Sequence, residues 1–91
     1  MKDRAILYHL EIAEEQRMGD AIYRLLRLTD GELLKFAVEI SDRAGRDLAL
    51  LHGRESDCRS FFAQIVRGEL SSIQLGEVAE DFSRGYAPEF F

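Results

Sequence analysis

The sequence predicts an α+β domain in which a mostly antiparallel sheet comes first and two helices come last. Up to about residue 53, apolar side chains recur at every second position, the period of a half-buried strand. From Cys58 onward they recur at i, i+3 and i+4, the period of an amphipathic helix. Short polar breaks containing Gly or Asp separate the early segments and suit hairpins better than crossovers.

Residues 4–12 form the first predicted strand, with Ile6, Tyr8, Leu10 and Ile12 on one side and Ala5, Leu7, His9 and Glu11 on the other. Residues 14–20, EEQRMGD, are polar, end in Gly-Asp, and read as a loop or turn. Residues 21–29, AIYRLLRLT, admit two readings. A strand puts Ile22, Leu26 and Leu28 on one face with Arg24 among them; a helix groups Met18, Ile22 and Leu25 but encloses Gly19 at a cost of about 1 kcal/mol. The strand is favoured because strong strand signals flank the segment and Asp30-Gly31 reads as a hairpin turn. Residues 33–41 alternate most clearly: Leu34, Phe36, Val38 and Ile40 against Lys35, Ala37, Glu39 and Ser41. A turn at 42–46 contains Gly45, and a fourth strand is expected at 47–52.

The first helix is expected over 57–67, with Ser56 as N-cap and Asp57 at the positive end of the helix dipole. Cys58, Phe61, Phe62, Ile65 and Val66 form its apolar stripe, and Gly68 closes it. The second is expected over 72–84. Ser71 and Gln74 have capping-box spacing, Leu70 and Leu75 have hydrophobic-staple spacing, and Leu75, Val78, Ala79 and Phe82 share one face. Glu77 and Glu80 then fall toward water, with Glu80 and Arg84 spaced as an i,i+4 pair.

Residues 31–82 resemble a family of small proteins from Gram-positive bacteria that is defined only as a domain of unknown function. Its members carry extended segments of the type YGIxV and VEDIS, a helix, and then a segment close to LSPIHLxDVVEDF. Here FAVEI, residues 36–40, stands for the first extended segment, and LSSIQLGEVAEDF, residues 70–82, for the last. The resemblance implies a strand-then-helix plan and a bacterial cytoplasmic origin, and it implies no activity. Ser72 replaces the family's proline at what is read as the first helical position, where a missing N–H costs nothing. Gln74 replaces a histidine, which puts in doubt any metal or proton-transfer role at that position.

The 91 residues suit a single domain, residues 1–91, with an aromatic tail at 86–91. Seventeen acids against twelve bases, a net charge of -5, argue against nucleic-acid binding, which needs a basic face. No segment approaches the roughly 20 apolar residues that span a bilayer, no signal core is evident, and the lone cysteine fits a reducing compartment, so a cytoplasmic location is expected.

No catalytic, metal or cofactor site is expected. His52 and Cys58 flank a strand-to-helix turn and are the sharpest catalytic pair available, yet Cys58 also begins an apolar stripe, where a thiol is inert. Glu77, Glu80 and Asp81 lack a histidine or a calcium-loop pattern beside them, and Arg59 and Arg67 read as surface charges. No Gly-rich phosphate cradle occurs.

The function expected is therefore a protein-interaction or regulatory module without catalysis, with a protein partner or a second copy as in a homodimer. A small ligand-binding protein or enzyme, with a pocket between sheet and helices near Tyr8, His9, His52 and Cys58, is the alternative. Ala5, Leu7 and Ala37 lie opposite the main apolar rows, and Leu25, Ala49 and Leu51 are candidates for that same face. Leu7, Leu51, Tyr86, Phe90 and Phe91 are the candidate interaction surface.

Overall fold

Three two-residue turns fold the first half of the chain into a meander. The computed structural model describes residues 9–84. Four strands, β1 (His9–Met18), β2 (Ala21–Asp30), β3 (Leu33–Asp42) and β4 (Gly45–Leu51), pair antiparallel in the order β1-β2-β3-β4. Helices α1 (Glu55–Arg67) and α2 (Ser72–Ser83) follow and pack on one face of the sheet, as an α+β plan requires.

Residues 21–29 are strand, which resolves the ambiguity of that segment. The first two hairpins turn on Gly19 and Gly31, both at φ 61°, each followed by a residue of ordinary φ. Glycine first in a two-residue loop is the II′ turn, whose twist matches that of the flanking strands. The second turn is therefore Gly31-Glu32, one residue beyond the expected Asp30-Gly31, because Asp30 still pairs with Leu33.

The expected loop at 14–20 is mostly strand. Glu14 to Met18 pair with Leu25 back to Ala21, and residues 4–8 of the expected first strand lie outside the described residues. The polar run is accommodated because its charges meet opposite charges. Glu15 accepts from Arg24 Nε at 2.9 Å across the β1-β2 pair, and Glu14 accepts from Arg59 Nη1 of α1 at 2.6 Å. A β-bulge between Ile12 and Glu14 makes this possible. It carries Ala13 and Glu14 together to the helix side and shifts the alternation, so that Leu10 and Ile12 before it, and Glu15 and Arg17 after it, share the opposite face.

The core lies between the sheet and the helices. Tyr23, Leu25, Phe36, Val38, Ile40 and Leu51 pack there against Cys58, Phe61, Phe62 and Ile65 of α1 and Leu75, Ala79 and Phe82 of α2. Phe61 and Phe82 join the helices, with ring centroids 4.6 Å apart. Both helical stripes are as the sequence predicts. The start of α1 is not: Arg54 is the N-cap and its carbonyl accepts from Cys58 N–H at 2.9 Å, so Ser56 lies inside the first turn. Burying Cys58 requires that first turn to begin ahead of it.

Between the helices the chain makes a Schellman closure. Leu70 N–H donates to Ile65 O at 3.0 Å and Glu69 N–H to Val66 O at 3.0 Å. Gly68 is right-handed here, and Glu69 holds the left-handed position at φ 54°. Tyr23 Oη donates to Leu70 O at 2.9 Å and anchors the loop to the sheet. Ser71 and Gln74 form the capping box, with Ser71 N–H donating to Gln74 Oε1 at 3.2 Å. A second cap comes from the sheet. Asp42, at the end of β3, accepts from Ser72 N–H and from Ser72 Oγ, each at 2.8 Å. These bonds, the backbone one foremost, hold the Asp42 carboxyl below the usual carboxylate range.

Candidate interaction surface

Cross-strand register settles which residues face away from the helices. Partners in a sheet point the same way, so every row opposite the core rows lies on the open face. One such row is Ile12–Leu26–Ala37–Leu50. To one side of it runs Leu10–Leu28–Lys35, and to the other Glu15–Arg24–Glu39–Leu48. Leu33 lies beyond Lys35 on the same face.

Neither α1 nor α2 covers these side chains. Leu10, Ile12, Leu48 and Leu50 are 58%, 55%, 51% and 47% exposed, and Leu33 is exposed as well. Leu26 and Ala37, at the centre of the row, are only 6% and 1% exposed. The result is an apolar strip with a sunken middle and greasy edges.

A charge ladder borders the strip. Arg17 Nε donates to Glu15 Oε2 at 3.3 Å, Arg24 Nε to Glu15 Oε1 at 2.9 Å, and Arg24 Nη1 to Glu39 Oε1 at 3.1 Å; Arg46 Nε lies 3.1 Å from Glu39 Oε2. The Arg24 bond is the main cause that lowers the Glu15 carboxyl from its ordinary value. The ladder is internally paired, so its charges arrive at any contact already matched.

This geometry corrects the expected surface in one respect and extends it in others. Leu51 does not belong to it: it pairs with Phe36 in the core rows and is 3% exposed. Leu25 and Ala49 are likewise on the helix side, through the row Leu25–Val38–Ala49. Ala37 is on the open face as expected. Leu7, Tyr86, Phe90 and Phe91 lie outside the described residues, as do Ala5 and Tyr8. Leu10, Ile12 and Leu26 belong to the main apolar rows that the sequence sets opposite Ala5, Leu7 and Ala37, and the structure turns them outward, on the same face as Ala37 and Leu50, because pairing with β3 and the bulge in β1 decide which row the helices cover.

The other candidate residues are drawn into structural roles. Cys58 is fully buried, its Sγ 3.9 Å from Gly53 O, and burial, with smaller contributions from Asp57 and Glu55, pushes the thiol up to about 11. His52 is exposed, with its backbone N–H on Ser83 Oγ at 3.2 Å. His9 is exposed beside Glu11 at 3.2 Å. Arg84 engages Glu80 and Asp81, each at 3.1 Å, and Arg59 is shared by Glu14 and Glu55. Among the described residues, no group of three or more His, Cys, Asp and Glu side chains is arranged to hold a metal ion.

Fold and site together define a four-stranded antiparallel meander roofed by two helices on one face and apolar on the other. Comparison with family models, curated proteins and solved structures gives no match. No helix among the described residues is long and apolar enough to cross a membrane.

Proposed function

We propose that the chain is a non-catalytic protein-interaction module, with a regulatory rather than a chemical role in the cytoplasm, and that it docks through the open face of its sheet. One observation carries this reading. Leu10, Ile12, Leu48 and Leu50 stand half-exposed around a sunken Leu26–Ala37 centre on a face that neither α1 nor α2 covers. Contiguous apolar surface of this kind marks docking sites more often than single exposed residues do. The space between sheet and helices is meanwhile occupied by packed aromatic and aliphatic side chains, and Cys58, the strongest nucleophile present, is a buried neutral thiol there.

The test is capture from the native cell with the tagged chain and with its Leu50→Glu variant. A stoichiometric companion held by the wild type and released by the variant supports the reading. Equal capture by both, with the variant folded, removes the open face from the interaction.

A further inference from the structure

We infer that the occupant of the open face is a second copy of this chain, packed sheet to sheet about a two-fold axis parallel to the strands and midway between β2 and β3. This rests on reading that face as an interaction surface, and it goes further by naming the partner and its register.

Charge is the first argument. The chain carries a net charge of -5, so two copies repel over most of their surface. The open face is the exception. Arg17, Arg24, Lys35 and Arg46 stand there against Glu15, Asp30 and Glu39, four cations to three carboxylates. It is the side on which one acidic molecule can approach another without acid meeting acid.

Self-complementarity is the second. An isologous contact requires one patch to fit itself under rotation. The stated axis lays β1 over the partner's β4 and β2 over the partner's β3, so each row of the face meets the same row of the other copy. Ile12 then meets the partner's Leu50, at the two greasy edges. Leu26 meets the partner's Ala37, large against small, which lets two pleated surfaces interdigitate. Arg24 meets the partner's Glu39, and Glu39 meets the partner's Arg24, at the centre of the contact; at its edges Glu15 lies over the partner's Leu48 and Arg17 over the partner's Arg46, where water still reaches the charges.

Size is the third. Four strands about 4.8 Å apart and up to ten residues long present a footprint of roughly 600 Å². Relief from side chains brings the buried surface near the ~800 Å² per partner of a standard stable interface. The whole face, not the apolar strip alone, is needed to reach it, and a second copy of this sheet has the breadth to cover the whole face.

The experiment is analytical ultracentrifugation of the full chain from micromolar to millimolar concentration, with four partners in comparison: wild type, Ile12→Lys/Leu50→Lys, Arg24→Glu, and Glu39→Arg. The expected wild-type mass is twice the 10.4 kDa of one chain. The double lysine variant is expected as a monomer, with association weakened at least tenfold and with far-UV circular dichroism unchanged. Arg24→Glu and Glu39→Arg each place like charges across the axis, two acids or two arginines, and each alone is expected as a monomer. Mixed in equal amounts they restore both opposite-charge contacts, and a one-to-one heterodimer is expected. A mixture that stays monomeric while both single variants remain folded overturns the register, as does a wild-type dimer that the lysine variant leaves intact. A wild type that is monomeric throughout overturns the second copy. In that case a foreign companion lost with Leu50→Glu keeps the open-face reading, and the absence of any companion ends both.

Discussion

Leu50 and Leu51 are adjacent in sequence and chemically identical, and the fold sends them to opposite faces. Truncating each to alanine therefore tests the face assignment. Leu51 is 3% exposed in the core rows, so its removal loses transfer energy and opens a cavity between sheet and helices. About 0.8 kcal/mol per buried methylene-sized group gives roughly 2.4 kcal/mol of transfer, and the cavity raises the cost to about 3–5 kcal/mol. Leu50 is 47% exposed on the face away from α1 and α2, so only about half the transfer term applies and no closed cavity forms, about 1 kcal/mol. A chain of 91 residues has a total stability of roughly 5–14 kcal/mol, and each kcal/mol moves the melting temperature by about 4–8 °C. Leu51→Ala is then expected to lower the melting temperature by at least about 12 °C, and Leu50→Ala by less than about 8 °C. Thermal and urea unfolding at low micromolar protein, repeated at two dilutions to separate any association, measures both. Equal losses, or a larger loss at Leu50, would refute the placement of β4 relative to the helices.

Other consequences are equally direct. The Asp42 carboxyl is held below its ordinary value by Ser72, so the stabilisation it lends α2 is present above the usual carboxylate range and is lost as pH falls through the depressed folded-state value. Asp42→Asn should melt below the wild type at pH 7, with the gap closing in acid under about pH 4; a gap that persists unchanged at pH 2 would show that the loss is not electrostatic. Cys58, buried with its thiol near 11, should resist iodoacetamide at neutral pH and label only after denaturation, and labelling of the native chain at the rate of a free thiol would contradict its burial. Glu69 occupies a left-handed φ of 54° in the closure after α1, so Glu69→Gly should gain about 0.5–1 kcal/mol and raise the urea midpoint, and a lowered midpoint would mean the glutamate contributes more there than its strain costs.

Much of this architecture was legible in the residues because it depends on local periods. The alternation of Phe36, Val38 and Ile40, the stripe from Cys58 to Ile65 and the face from Leu75 to Phe82 all appear in the structure with the same side chains inward, whereas Leu34, the first of the β3 row, is 46% exposed beyond the reach of the helices. The capping pair Ser71 and Gln74 was readable for the same reason, since its bonds close within one turn. Residues 14–18 were misjudged because their polarity is satisfied by Arg24 and Arg59, which lie far along the chain and whose approach no local pattern encodes.

The sequence by itself determined that strands precede helices, where the helical stripes run, and that the sheet has two apolar sides. Only the tertiary structure decided which side the helices cover. Tyr23, Leu25 and Leu51 went inward and Leu26, Leu48 and Leu50 outward because the register with β3, together with the bulge in β1, sets the face of every other strand. Shifting a strand by one residue exchanges its two rows, and when both rows are greasy the chain alone carries no preference strong enough to choose. That choice is made by pairing across the sheet, and it is what leaves Ile12 and Leu50 facing outward.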